Sequence, residues 1–192
     1  MRYKMRVIRN RKTKYIFILC LIVLGIVFSQ FSDFNLVYLV PSKEEQGNII
    51  KVYDGDTLTI LHNGEKIKVR LYGIDAPESN QNYGKEATSH LLTLCPIGSN
   101  ATLKIKDKDK YNRIVGIVFC NGIDVNANQV ENGLAWAYKE YSLAYVHLEI
   151  QARLAHKGLW SEENPIKPSI YRKQISQYKE WANAHIPRDE IR

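Results

Sequence analysis

Two stretches of alternating polar and apolar residues, Thr57–His62 and Glu65–Tyr72, flank the dipeptide Asn63-Gly64. Successive strand residues point to opposite faces, so this period of two reads as strands with one face buried. Asn-Gly suits the two positive-φ positions of a type I′ turn, and the pattern predicts a tight hairpin. A β-rich run, Ile49–Tyr53, precedes it across the turn Asp54-Gly55. Pairing His62 with Glu65 sets Thr57 opposite Arg70 and Asp56 opposite Leu71. Opposed residues lie within ~5 Å, which makes Asp56 and Arg70 neighbours although fourteen positions separate them. Asp75 and Glu78 follow just past the second strand, on the same rim.

Further along, the period changes. Tyr83–Leu94 predicts a helix with Ala87, Leu91 and Leu94 on one face, ended by Pro96 and Gly98. Ala101–Lys106 and Ile114–Cys120 predict two strands joined through Asp107–Arg113, whose mixed charges suit a solvated hairpin tip. Val125–Asn132 predicts a short helix stopped by Gly133. Leu134–Tyr141 is aromatic-rich; Trp136 reads as core, while Tyr138 and Tyr141 suit either core packing or stacking on a base. Ser142 is read as the cap of a helix running to Lys157, with Gly158 as its stop. Glu149 and Arg153 form a structural i,i+4 pair within it. Pro165 and Pro168 then break the chain before a stripe of Tyr171, Ile175, Tyr178 and Ala182, which predicts a helix packed back on the domain, with an exposed partner-binding helix as the alternative.

The first residues change the picture of charge. Residues 1–14 carry seven basic side chains and no acid, and 15–28 are apolar. This order predicts a signal peptide or an anchor with its N-terminus in the cytoplasm, either of which places the rest outside. The whole chain has 27 Lys and Arg against 20 Asp and Glu; setting aside the seven leader residues leaves 20 against 20. The net charge of +7 therefore belongs to the leader, and attraction for phosphate has to come from local arrangement. The resulting organisation is a basic cytoplasmic flank at 1–14, an anchor or signal segment at 15–40, a linker at 41–48, a domain at 49–160 and a helical extension at 161–192. Cys95 and Cys120 travel with the domain into a compartment where disulfides persist, but their spacing does not establish a bridge. The five histidines show no metal-ligand spacing.

The rim gathers Asp56, Asp75, Glu78 and Arg70. Clustered carboxylates repel one another, and a cation is the usual reason to collect them. Oxygen donors without Cys or His suit Ca²⁺ or Mg²⁺, and an arginine beside such an ion can grip a phosphate with two parallel hydrogen bonds. For any one of these residues, solvated turn chemistry is the simpler reading; their combination on adjacent strand ends favours a site.

D-G-D-T, V-R-L-Y-G-I-D-A-P-E, Y-G-K-E-A, D-K-Y-N-R and G-L-A-W-A-Y occur in this order between Asn48 and Trp160. As a set they resemble the staphylococcal nuclease family. The resemblance implies an α+β fold, a five-stranded OB-type β-barrel with three helices, preceded here by the transmembrane or signal segment. It implies a Ca²⁺-dependent hydrolase that cuts DNA and RNA to 3′-phosphate products. Asp56, Asp75 and the carbonyl of Ala76 would hold Ca²⁺, and Asp54 would support it through bound water. Glu78 would orient or deprotonate the attacking water. Arg70 and Arg113 would clamp the phosphate, Arg113 nearest the leaving oxygen. Two departures stand out: Ala76 replaces a Thr, which keeps the carbonyl and loses the hydroxyl, and Asn112 replaces the Gly before Arg113. Asn tolerates positive φ, so the turn is expected to survive.

Two rival readings are weaker. I-I-K-V-Y-D-G-D-T-L has the outline of aspartyl-phosphate phosphatases, which open D-x-D-x-T. Here Thr57 comes one residue too early, and the chain continues into a hairpin instead of a βαβ unit. A non-catalytic OB module that binds nucleic acid or a partner would tend to lack the full acidic and arginine set. No segment reads as an obligate protein-binding surface, so a monomer is expected, with the membrane contacted through the leader.

Overall fold

The computed structural model describes residues 15, 19–23 and 43–185. The basic flank 1–14 and most of the apolar segment 15–40 lie outside the described residues. Tyr15 and Leu19–Val23 are helical, and among the described residues no helix is long and apolar enough to cross a membrane.

The expected hairpin is present as β2 (Thr57–His62) and β3 (Glu65–Leu71). Thr57 pairs with Arg70 and His62 with Glu65, and Leu71 N–H donates to the Asp56 carbonyl at 2.8 Å. Asn63 and Gly64 take φ of 49° and 82°, which the type I′ turn requires. β1 (Glu44–Asp54) is longer than the sequence pattern suggests. Its first residues, assigned above to a linker, pair Glu44–Asn48 with Lys104–Asn100, and its remainder pairs with β2. Register shifts at Ile49/Lys51 and Val52/Asp54 bend the strand, as bulges do, so one strand serves two neighbours. With β5 (Asn100–Lys108) and β6 (Ile114–Cys120), the order β3-β2-β1-β5-β6 closes by a parallel β3–β6 pairing. The result is the closed five-stranded barrel expected of an OB-type fold.

The barrel interior is apolar because alternate residues of every strand point inward: Ile49, Leu58, Ile60, Val69, Leu71, Leu103 and Val118 are at most 1% exposed. Each such side chain contributes roughly 1.5–3 kcal/mol of burial. Helix α1 (Gly84–Leu94) seals the barrel with Ala87 and Leu91. Two-residue strands β4 (Ile74–Asp75) and β8 (Trp136–Ala137) pair with each other. β7 (Ile123–Asp124) lengthens the sheet beyond β6 and leads into α2 (Val125–Glu131), whose first turn Asp124 caps by accepting from Ala127 N–H at 2.9 Å. Cys95 and Cys120, both fully buried, form a disulfide between the end of α1 and the end of β6.

Helix α3 spans Val146–Leu154, starting later and ending earlier than the sequence predicts. Ser142 does not cap it: its hydroxyl accepts from Ala144 N–H at 3.1 Å in the preceding turn. Glu149 is almost fully buried and receives Arg153 Nε and Ala137 N–H, each at 2.8 Å. The Arg153 guanidinium lies 3.6 Å from the Trp160 ring centroid, so this pair is structural. After a 3₁₀ turn at Gly158–Ser161, α4 (Pro168–His185) follows. Of its apolar stripe, Tyr171, Ile175 and Ala182 are half-buried, whereas Tyr178 is 62% exposed; the packing back is partial.

Candidate active site

The turn between β1 and β2 sets the first carboxylates. Asp54 accepts from Asp56 N–H at 3.0 Å, a local bond that tightens the turn. A Cβ on Gly55 would come within 2.6 Å of the Ala87 Cβ and 2.8 Å of the Ala76 Cβ, so only glycine lets α1 and the Asp75 loop close on this turn. Gln129, fully buried on α2, donates to the Gly55 carbonyl at 2.6 Å and the Ala87 carbonyl at 2.9 Å. Asn126 accepts from Val118 N–H at 3.1 Å and donates to the carbonyls of Tyr72 and Gly116 at 2.9 and 3.2 Å. Together these two amides pin the strand ends that carry the site.

Asp56 and Asp75 are 4% and 3% exposed. Two buried anions this close need compensation. Asp56 Oδ2 accepts from Ala76 N–H at 2.7 Å and Oδ1 from the Thr57 hydroxyl at 3.1 Å. The Arg70 guanidinium spans the pair, Nη1 on Asp56 Oδ1 and Nη2 on Asp75 Oδ1, the latter at 2.6 Å. Its burial pulls the Arg70 pKa below the ordinary value, against the opposing pull of Asp75 and Asp54, and nearby Arg113 lowers it further. Burial likewise raises the Asp54 carboxyl, with Arg70, Thr57 and Arg113 pulling it back down.

Arg113 itself is held elsewhere. Its Nε donates to Asp109 Oδ2 at 2.7 Å, and Asp109 Oδ1 accepts from the N–H groups of Arg113 and Tyr111, each at 2.9 Å. Asp109, placed above on a solvated tip, is therefore a specific partner of that arginine. Asn112 adopts φ of 66°, so the turn survives its loss of glycine. β6 runs beside β3 with Arg70 opposite Val115, which sets Arg113 on the strand end next to Arg70. Among the described residues no hydrogen bond joins Arg113 to Asp56, Asp75 or Glu78.

The residue that the sequence pattern does not disclose is Arg172, on α4. Its Nη1 donates to Glu78 Oε1 at 2.7 Å and to Asp75 Oδ1 at 3.2 Å, and Nη2 to Asp75 Oδ2 at 3.1 Å. Burial works to lower its pKa, but the bonds to Asp75 and Glu78 outweigh this and raise it. Pro165 and Pro168 hint that the chain turns before α4; nothing in the pattern singles out Arg172 from its basic neighbour Lys173.

Tyr138 and Tyr141 form a pair at the edge of the site, their rings 4.9 Å apart and tilted by 54°. Tyr138 N–H donates to the Gly73 carbonyl at 2.8 Å, so it sits beside the turn leading to Asp75. Burial raises the Tyr138 phenol, and the Asp75 charge adds to the rise. Tyr141 is 67% exposed, which leaves one face of the pair open.

The donor chemistry fits a hard divalent cation: two converging buried carboxylates, a neighbouring carbonyl position at Ala76, and no sulfur or imidazole. Among the described residues no three acidic, His or Cys side chains form a ready metal cluster, so such an ion would complete its shell with carbonyl, water or phosphate oxygens.

Residues 68–162 match the family described as staphylococcal nuclease homologue. An uncharacterized endonuclease of Haemophilus influenzae is 43% identical over 144 residues, 73% of this chain and 80% of that protein. The chain belongs to the staphylococcal nuclease family. A micrococcal nuclease of Shigella flexneri shares 33% identity over 72% of this chain and 87% of its own length. A probable staphylococcal-like nuclease of Oryza sativa is 35% identical across 70% of this chain and 36% of itself. The matched stretch contains Arg70, Asp75, Glu78 and Arg113; Asp56 precedes it and Arg172 follows it.

Proposed function

We propose that this nuclease-family domain is a Ca²⁺-dependent phosphodiesterase that cuts DNA and RNA outside the cytoplasm and leaves 3′-phosphates. The observation that carries the reading is the buried Asp56–Arg70–Asp75 arrangement at the barrel rim, where anions converge on positive charge. Asp56, Asp75 and the carbonyl of Ala76 would hold the ion, supported by Asp54. Bound there, it would neutralise charge on the phosphate and on the departing oxygen. Glu78 aligns a water with the phosphorus or takes its proton. Arg70 on β3 and Arg113 just before β6 would grip the same phosphate, Arg113 turning from Asp109 to do so, and would stabilise the charge that grows on its oxygens. Tyr138 and Tyr141 offer a platform for a neighbouring base.

The outer face of the barrel favours a polyanionic substrate. Lys66, Lys68 and Arg70 alternate with inward-facing Ile67 and Val69 along β3. Lys68 and Lys51 lie 4.2 and 4.4 Å from the centroid of the Tyr53 ring between them. This row of positive charge runs into the site on a domain whose charges balance overall. Export is supported by the basic leader in the sequence and by the buried disulfide, which persists in oxidising compartments.

Digestion of single-stranded DNA, double-stranded DNA and RNA by the purified protein, with Ca²⁺ or with EGTA, tests this reading. Cleavage is expected with Ca²⁺ alone, with less turnover in Mg²⁺, whose stricter octahedral geometry suits an open site poorly. Undiminished cleavage in EGTA refutes the metal dependence. Binding of nucleic acid without cleavage under any condition would establish the non-catalytic OB alternative.

A further inference from the structure

The bonds of Arg172 occupy the oxygens that a cation would need. Asp75 Oδ1 is shared between Arg70 and Arg172, Asp75 Oδ2 faces Arg172, and Glu78 Oε1 faces Arg172. A divalent ion bound at Asp75 would lie beside two guanidinium groups, and like charges at that separation repel strongly. One of the two has to leave. Arg70 is 16% exposed, rooted in β3 and paired also with Asp56. Arg172 is 44% exposed and sits on a helix whose only buried residue is Pro168.

We propose that Arg172 and the divalent cation are alternative occupants of one site, so that α4 closes the centre when the ion is absent and is released when it binds. This rests on the cation reading above. Besides the Lys167 ammonium 5.6 Å from the Trp136 ring centroid, two hydrogen bonds anchor this segment: Gln81 Nε2 donates to the Ile166 carbonyl at 2.7 Å, and the Tyr171 hydroxyl donates to the Asn80 carbonyl at 3.1 Å. Both grip the loop that begins at Glu78. An element with little buried apolar surface opens at low cost, and withdrawing the Arg172 guanidinium from Asp75 and Glu78 removes three of the hydrogen bonds that hold α4 down. The same step uncovers Glu78 for a water. The closed form is then a self-inhibited state in which one basic side chain balances the acidic centre, and cation binding exchanges that charge for its own.

Calorimetric titration of Ca²⁺ into the full-length protein, without nucleic acid, reads this competition directly. Arg172→Gln should bind Ca²⁺ more tightly than the wild type, about tenfold if the closed form holds nine-tenths of the population. Arg172→Lys, which keeps the charge but loses the planar fork, should fall between them. Amide exchange across residues 168–185 should quicken when Ca²⁺ is added to the wild type. In Arg172→Gln it should be fast from the start and insensitive to Ca²⁺, while the barrel amides stay protected in both proteins. Equal or weaker Ca²⁺ binding by Arg172→Gln overturns the proposal, as does wild-type exchange in α4 that ignores Ca²⁺. If neither protein binds Ca²⁺ at all, the cation reading itself fails. If the wild type binds and Arg172→Gln binds no better, only the competition fails.

Discussion

At the scale of single residues, the two arginines assigned to the phosphate differ in what else they hold. Arg70 compensates Asp56 and Asp75, both buried. Removing one partner of a buried pair leaves an uncompensated charge and typically costs about 3–5 kcal/mol. Arg70→Gln should therefore lose stability on that scale in EGTA, and added Ca²⁺ should restore part of the loss. Urea midpoints with and without Ca²⁺ measure both effects; an unchanged midpoint would remove Arg70 from its structural role. Arg113 is half-exposed, and its Asp109 partner keeps the N–H donors of Tyr111 and of residue 113. Arg113→Lys should shift stability by no more than about 0.5 kcal/mol. Its kcat should nevertheless fall by ~10²–10³, the usual effect of losing one preorganised donor. Near-normal kcat would exclude Arg113 from the reaction. The proximity of Asp56 to Arg70 is legible in the sequence because hairpin register is set by Asn63-Gly64 and by alternation. Arg172 is not, because its bond to Asp75 spans 97 positions and depends on how α4 docks, which no local pattern encodes.

At the scale of elements, periodicity serves where one face is buried and fails where the element is defined by its neighbours. β2, β3, β6 and α1 appear within a residue or so of their expected bounds. The first half of β1, Glu44–Asn48, is polar and half-exposed; its strand character comes from pairing with β5, which its own sequence does not announce. The same holds for β4 and β8, two residues each. Ser142 has the chemistry of a helix cap, but its hydroxyl is used in the turn before α3. The buried amides of α2 are equally silent in the sequence, since Asn and Gln on a short helix ordinarily face water. Gln129 holds the carbonyls of Gly55 and Ala87. Replacing it with Leu leaves both without that donor, at about 1–3 kcal/mol for each buried group left unsatisfied. Gln129→Leu should lower the urea midpoint accordingly. It should also weaken Ca²⁺ binding, because the Asp54–Asp56 turn loses its support from α2. Loss of stability with unchanged Ca²⁺ affinity would show that the turn holds its geometry without Gln129. The disulfide adds a second tie between α1 and β6. Closing a loop of 25 residues contributes roughly 3–4 kcal/mol in the chain-entropy account, and the difference between urea midpoints with and without reductant measures it.

At the scale of the whole molecule, composition misleads unless it is divided. The net +7 suggests a nucleic-acid binder, yet the excess sits in residues 1–14. What remains is a balanced domain in which charge is sorted by face: acids and Arg70 at the rim, and Lys66, Lys68 and Lys51 beside them on the barrel wall. If substrate phosphates lie along that wall, the lysines contribute through counterion release, which depends on salt and not on base sequence. Lys51→Ala combined with Lys68→Ala should raise KM for long single-stranded DNA and leave kcat unchanged, because neither side chain touches the carboxylates. The slope of log affinity against log salt should shrink by about 0.7 for each phosphate that the variant no longer neutralises. A dinucleotide substrate, too short to reach the wall, should be cut equally well by the variant and the wild type. KM measured on both substrates across a salt series separates the possibilities. An unchanged slope on long DNA would mean that these lysines only solvate the barrel. A fall in kcat on the dinucleotide would mean instead that the Tyr53 cluster supports the site through the β1–β2 turn. In that case substrate guidance would rest on Arg70 and Arg113 alone.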